Sequence, residues 1–430
     1  MRFLLFLRRS HAPCFAVALS LMVLASAAHA ADAPLSLQAA VDEAARNAPL
    51  LDARAERLMA AHEDAVRAGR LPDPELNVGL NNLTATGPSA FDPAADMMTM
   101  QSIGVMQKLP SHAAREAQRA AADANVDAAD AQRTATSLEV RQMAAQAWVA
   151  LWVAQRKREL LEELRKEADT AVLASKARLA GGTGNAGDAL AARADLIALD
   201  NRIDAAQAEI DAARAELVRW LGEDANRPLA DAPDFANLPT APGTLLAQLD
   251  KQAPLLQWSA RESQADAALD AAQASKHPDW SVGLSYGKRF AGRADMISLD
   301  VGVSLPLFPG DRQDRDVSAR YAERDAVHAE HEDARREQRA AIERALADWR
   351  SLTAQVQRYH DELLPLAADR SRIALAAYRG GASLQPWLDA RRDEIKLNLD
   401  YADVLAEWGR DWAALAYLIP DSGFPVEMPR

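Results

Sequence analysis

Two hydrophobic periods alternate along this chain. Leu76, Val78 and Leu80 take every second position, with Asn77, Gly79 and Asn81 between them. The same spacing recurs in Trp280, Val282, Leu284 and Tyr286 against Ser281, Gly283, Ser285 and Gly287. A further run sets Ile297, Leu299, Val301, Val303 and Leu305 against Ser298, Asp300, Gly302 and Ser304. A period of two places the apolar set on one face of a strand and the polar set on the other. Four strands are expected, over residues 75–83, 99–109, 279–290 and 296–307. Each is close to the ~9–11 residues that a tilted strand needs to cross a bilayer. Alternation alone does not say whether the apolar face meets a core or lipid. Trp280 and Tyr286, at the ends of one apolar stripe, suit an interfacial girdle or a core equally. Residues 84–98 and 291–295 read as exposed hairpin loops.

The second period is helical. Residues 111–180 contain neither Gly nor Pro. A helix of that length extends roughly 105 Å at 1.5 Å per residue, with Ser111 as N-cap and Gly181-Gly182 as its end. Residues 311–379 repeat the pattern before Gly380-Gly381, and Pro365 predicts a kink or local break. The return helix carries a seam: Leu196, Ile203, Ile210 and Leu217 lie seven apart, with Leu199, Ala206, Ala213 and Trp220 three residues on. Leu388, Ile395, Ala402 and Gly409 repeat that spacing, with small companions at Ala406 and Ala413 beside Leu399. Such a/d spacing is the signature of helices packed along their whole course.

Both periods occur twice, about 200 residues apart. Pro74-Glu75-Leu76-Asn77-Val78-Gly79-Leu80 returns as Pro278-Asp279-Trp280-Ser281-Val282-Gly283-Leu284, and Ala48-Pro49-Leu50-Leu51 as Ala253-Pro254-Leu255-Leu256. An internal repeat sets the reading of the whole fold. Residues 31–240 form the first repeat, of helix, two strands and a long helical hairpin; residues 241–430 form the second. The fold class is α+β: internally duplicated, with long antiparallel coiled-coil helices and four β-strands.

Residues 1–30 read as a signal peptide. Arg2, Arg8 and Arg9 precede an apolar run, and Ala28-His29-Ala30 fits a small-x-small cleavage site. Cys14, the only cysteine, lies inside this segment, so the mature chain is expected to have neither a disulfide nor a lipidated cysteine. The chain carries −13 overall and this segment +3, leaving −16. That balance argues against a nucleic-acid partner, which needs a basic face. No apolar run after the signal is long enough for a transmembrane helix, so a membrane role falls to the strands. Four strands are too few to close a barrel in lipid, and an oligomer must supply the rest.

With these elements in order, the chain resembles the TolC-like outer-membrane efflux family. The resemblance rests on Leu35-Ser36-Leu37 with Asn47-Ala48-Pro49, and on Pro72-Asp73-Pro74-Glu75-Leu76. It rests also on Val303-Ser304-Leu305-Pro306-Leu307-Phe308, and on Tyr378-Arg379-Gly380-Gly381 followed by Leu388-Asp389-Ala390. It implies a homotrimer completing one twelve-stranded barrel in outer-membrane lipid, with the long helices forming a periplasmic tunnel. The implied partners are a periplasmic adaptor and an inner-membrane efflux pump, and no enzyme activity or cofactor is implied. The turns at 181–188 and 380–387 then become the tunnel tips. Asp188, Asp389 and Tyr378 are aperture candidates, and three copies of Asp389 would form an acidic ring favouring cations. Pro386 stands where the family often has aspartate. Gly181, Gly182, Gly380, Gly381, Ser383 and Leu384 are candidates for adaptor contact. The region 72–83 looks closest to the heavy-metal branch, with a drug or organic-solute duct the near alternative. A periplasmic coiled-coil adaptor or scaffold would also use long helices, but the duplicated strand pairs argue against it.

Other motifs compete. Gly182-x-Gly184-x-x-Gly187 spells a dinucleotide fingerprint but follows a helix instead of a strand. His328 and His331 share a helix face, with no third metal ligand fixed by spacing. Met97, Met98, Met100 and Met106 offer thioethers to a soft metal, or simply fill a strand face.

Overall fold

The computed structural model describes residues 33–383 and 385–420; the signal segment and Leu384 lie outside the described residues. In chain order come α1 (Leu37–Asn47), α2 (Pro49–Arg67), β1 (Glu75–Asn81), β2 (Met100–Leu109), α3 (His112–Ala180) and α4 (Ala186–Leu221). The second repeat supplies α5 (Pro242–Ala247), α6 (Trp258–Ala274), β3 (Trp280–Arg289), β4 (Met296–Val303) and α7 (Gln313–Arg358). After a π-helical turn at Tyr359–Leu363 follow α8 (Leu364–Arg379) and α9 (Gln385–Ala416). The chain divides into two compact units, and both α3 and α7 contribute residues to each.

One unit, Leu50–Thr136 with Gln248–Ala340, holds the sheet. Its four strands run antiparallel in the order β1-β2-β3-β4. The repeat boundary therefore passes through the middle of the sheet, where β2 pairs with β3 from Met100 opposite Arg289 to Leu109 opposite Trp280. Cross-strand register gathers the apolar positions into rows: Leu76, Val105, Leu284 and Leu299 form one, and Val78, Ile103, Tyr286 and Ile297 the next. Every member of these rows is exposed, up to 75% for Ile297. The apolar face of the sheet is thus uncovered in the single chain, which excludes a core formed against it within this chain.

Two strands stop short of the expected ends. β1 ends at Asn81 because Asn82 adopts a positive φ of 59°, which turns the chain out of the sheet. β4 ends at Val303 and not at Leu307: Pro306 has no N–H to pair, and the Leu307 N–H turns back to the Leu305 carbonyl. The base of the long loop is closed by Thr99 Oγ1 donating to the Asn82 carbonyl and Phe91 N to that of Thr84.

The other unit comprises the described residues of Met1–Pro49, Ser137–Ala247 and Ala341–Arg430. Phe235 is buried there against Trp408 and Trp412, with ring centroids 5.5 and 5.3 Å away. Indole N–H groups tie down the connecting segment: Trp349 donates to the Phe235 carbonyl and Trp412 to that of Asn237. Trp148 is fully buried and donates to the Leu35 carbonyl. Buried indoles need such partners to offset lost hydration. The heptad positions behave as spaced: Leu199, Ala206, Ile210, Leu217 and Trp220 are buried on α4, and Leu388, Ile395, Ala402 and Gly409 on α9. Leu161 and Leu164 of α3 meet Leu199, Ala206 and Ile395 in one cluster. The kink at Pro365 is a π-turn, in which the Leu364 N–H reaches the Tyr359 carbonyl five residues back. One extra residue in the turn accommodates the missing proline donor without ending the helix.

Candidate functional site at the paired helical turns

The two turns are built alike. At the end of α3, Thr183 N donates to the Arg178 carbonyl and Gly182 N to that of Leu179. At the end of α8, Ala382 N donates to the Ala377 carbonyl and Gly381 N to that of Tyr378. This is the same glycine C-cap twice, and it needs a left-handed residue at its centre. Gly182 and Gly381 supply it, with φ of 73° and 102°. Gly181, Gly380 and Ser383 flank them, all exposed. The first turn closes with Asn185 as N-cap of α4, its Oδ1 accepting from Gly187 N at 2.7 Å. The dinucleotide fingerprint is therefore a helix–turn–helix, with Gly184 pressed against the backbone of Leu179.

The Tyr378 side chain is packed within this unit. It is buried with Trp387, Leu388 and Ala171, and its ring stacks on Trp387 with centroids 6.1 Å apart and planes within 6°. The Arg178 guanidinium lies 4.4 Å from the Tyr378 ring centroid, an electrostatically favourable approach to an aromatic face. The sequence reading placed Trp387 at the end of the second turn but gave neither it nor Arg178 a role; their adjacency to the Gly-Gly turns was the available signal.

The two aspartates differ in setting. Asp188 sits half-buried in the first turn of α4, where the helix N-terminus favours negative charge. Asp389 is exposed one turn into α9, accepting from Gln385 Nε2 at 2.8 Å, with Arg392 Nη1 3.4 Å away. Arg392 also pairs with Asp195 at 2.9 Å, so the Asp389 charge is partly balanced within its own chain. Nearby, a cleft of about 330 Å³ is floored by Leu164, Leu199, Leu388 and Ile395, with Arg202, Arg391, Arg392 and Lys396 among its lining residues.

Among the described residues no group of three His, Cys, Asp or Glu side chains is arranged to hold a metal ion. His328 and His331 instead share one carboxylate oxygen, with Nδ1 atoms 3.0 and 2.8 Å from Glu262 Oε1. His331 also stacks on Trp258 at 5.4 Å. Burial raises the Glu262 carboxyl, but hydrogen bonds from His331 and His328 outweigh it and hold the group below its ordinary range. Met100 and Met106 lie six residues apart on one strand, about 20 Å, too far to share an ion. No described helix is long and apolar enough to cross a membrane.

The comparisons extend this picture. Residues 40–223 match the family model described as outer membrane efflux protein. No curated protein matches the sequence. Among solved structures, the fold is similar to a membrane protein from Pseudomonas aeruginosa, with TM-score 0.75 and 19% identity over 89% of each chain. It is similar to CusC, at TM-score 0.73 and 16% identity over 88% of this chain and 90% of that one. VceC, an outer membrane protein of Vibrio cholerae, aligns at TM-score 0.71 and 18% identity over 91% of this chain and 97% of the other. The family match on the first repeat and the channel fold across both make this chain similar to the outer-membrane efflux channels, which are not enzymes.

Proposed function

We propose that the chain is one subunit of a homotrimeric exit duct, set in the outer membrane and reaching into the periplasm. The uncovered apolar face of the four-stranded sheet carries this reading, together with its two unpaired edges, β1 and β4. In lipid every backbone group must be paired, so an open sheet has to close on further copies of itself. Three copies of four strands give an even-numbered barrel of a size known for outer-membrane proteins. The turns at Gly182 and Gly381 would meet a periplasmic adaptor and through it an inner-membrane pump. The adaptor contacts are then Gly181, Gly182, Gly380, Gly381 and Ser383; Leu384 lies outside the described residues.

Cations, heavy metals included, are the proposed cargo class. The acidic balance of the chain and the exposed Asp389 support it, and a duct for drugs or organic solutes is the second reading within the same architecture. Residues 31–240 and 241–430 serve as its two repeats. The test is purification from outer membranes, followed by oligomeric mass and single-channel conductance in a planar bilayer. A trimer with small, discrete, cation-selective steps is expected. A soluble monomer or dimer without conductance would overturn the duct.

A further inference from the structure

The apolar stripe on the sheet is too short for the membrane it faces. From Ile297 to Val303 on β4 there are six residue steps, about 20 Å along the strand at 3.3 Å each. At the tilt of roughly 40° usual for outer-membrane strands, that spans about 15 Å of depth, against an apolar band about 25 Å tall. Some 10 Å must come from beyond the ladder.

One such extension sits at the end of the sheet where all four strands join helices. There Asp279 and Ser304 continue the pairing: Ser304 N donates to the Asp279 carbonyl at 2.9 Å, and Asp279 N to Ser304 Oγ at 2.8 Å. Leu305 is therefore the next outward position after Val303, in register with the apolar stripe. The turn at Pro306 then presents Leu307 and Phe308, which are 70% and 82% exposed. Three consecutive large apolar side chains, separated only by a proline, are left uncovered beside Trp280 and Val303, which pair directly across the ladder. Isolated exposed apolar residues need no explanation, but a contiguous patch marks a contact surface.

The geometry points to Leu305, Leu307 and Phe308 as a lipid-contact collar. It extends the apolar band of the barrel into the periplasmic leaflet of outer-membrane phospholipid, with Phe308 at the level of the interface. The patch is continuous with the sheet face that the duct places in lipid, and the inference rests on that reading. Girdles of aromatic residues flank the apolar band of outer-membrane barrels at both interfaces. The proline-bracketed sequence Pro306-Leu307-Phe308-Pro309 removes two backbone donors that would otherwise need partners at that depth.

Cys14 is the only natural cysteine, so single-cysteine labelling is clean once it is replaced by Ser. Spin labels at Phe308→Cys, Leu299→Cys and Asp300→Cys would be examined in full-length protein reconstituted into phosphatidylethanolamine–phosphatidylglycerol vesicles. Collision rates with oxygen, which concentrates in lipid, are compared with those of a water-soluble nickel chelate. Position 299 should favour oxygen severalfold and position 300 the chelate. Position 308 should also favour oxygen, at a shallower depth than 299. A label at 308 that favours the chelate while 299 favours oxygen would overturn the collar and leave the barrel intact. A label at 308 shielded from both reagents would mean a protein contact there and would equally overturn it. If 299 itself favours the chelate, the barrel reading fails and the collar with it.

Discussion

Arg178 lies over the ring of Tyr378, its guanidinium carbon 4.4 Å from the centroid, although the two residues are 200 positions apart in the chain. The contact joins the end of α3 to the end of α8, so the two Gly-Gly turns are held as a pair. Trp387, at the start of α9, completes the cluster by stacking on Tyr378.

Packing, not the tyrosine hydroxyl, should dominate at this position. Trp387→Ala is expected to destabilise the unit by about 3 kcal/mol, the usual cost of removing a buried aromatic. Tyr378→Phe keeps the ring contacts and should leave thermal stability within about 0.5 kcal/mol of wild type. Denaturant unfolding of both variants checks the order. A conductance change in Tyr378→Phe without a stability change would assign the hydroxyl a role at the aperture.

The balance at Asp389 predicts opposite effects from removing the carboxylate and from removing its guanidinium partner. Removing the carboxylate in Asp389→Ala should lower the preference for potassium over chloride in the reconstituted channel. Arg392→Ala should raise it, since the guanidinium shared by Asp389 and Asp195 is lost. Each change is expected to be about twofold, as exposed charges are screened. Reversal potentials under a salt gradient measure both, and identical values for the two variants would place Asp389 away from the conduction path.

Gly409 on α9 has no room for a side chain. A Cβ built there would lie 2.6 Å from Val149 Cγ1 and 3.2 Å from the Phe235 ring. Gly409→Ala should therefore destabilise by about 1–2 kcal/mol, despite the better helix propensity of alanine. Gly243, which has open space around it, is the control; Gly243→Ala should be neutral or slightly stabilising. Paired melting curves decide the comparison.

Acid should loosen the unit that contains Glu262. Its carboxyl is held below the ordinary 4.5 by His331 and His328. The associated stability is therefore complete above about pH 4.5 and is lost as pH falls through the lower folded value. In Glu262→Gln that share of the pH dependence should vanish. Melting temperatures between pH 3 and 7 provide the test, and parallel curves for wild type and variant would sink the prediction.

Much of this was legible from residues alone. The two Gly-Gly ends, the Ser111 cap, which accepts from Ala114 N, the heptad seams and the four strands all follow from local rules of period, capping and backbone freedom. Local rules failed where a distant partner decides. Tyr378 was readable as a candidate, but Arg178 and Trp387, which define its surroundings, reach it only through folding.

The sequence by itself determined which elements form and that they form twice, because helical and strand periods are properties of consecutive residues. It could not say which face of the alternating strands meets solvent, since inward and outward faces share one pattern. Tertiary structure set the order of the sheet, with β2 paired to β3, and left the apolar rows without a covering layer in the single chain. It decided also that Arg392, one helical turn from Asp389, is shared with Asp195 of α4, and that His328 and His331 converge on Glu262. These are matters of long-range register, fixed only when side chains far apart in the chain compete for the same space and the same hydrogen bonds.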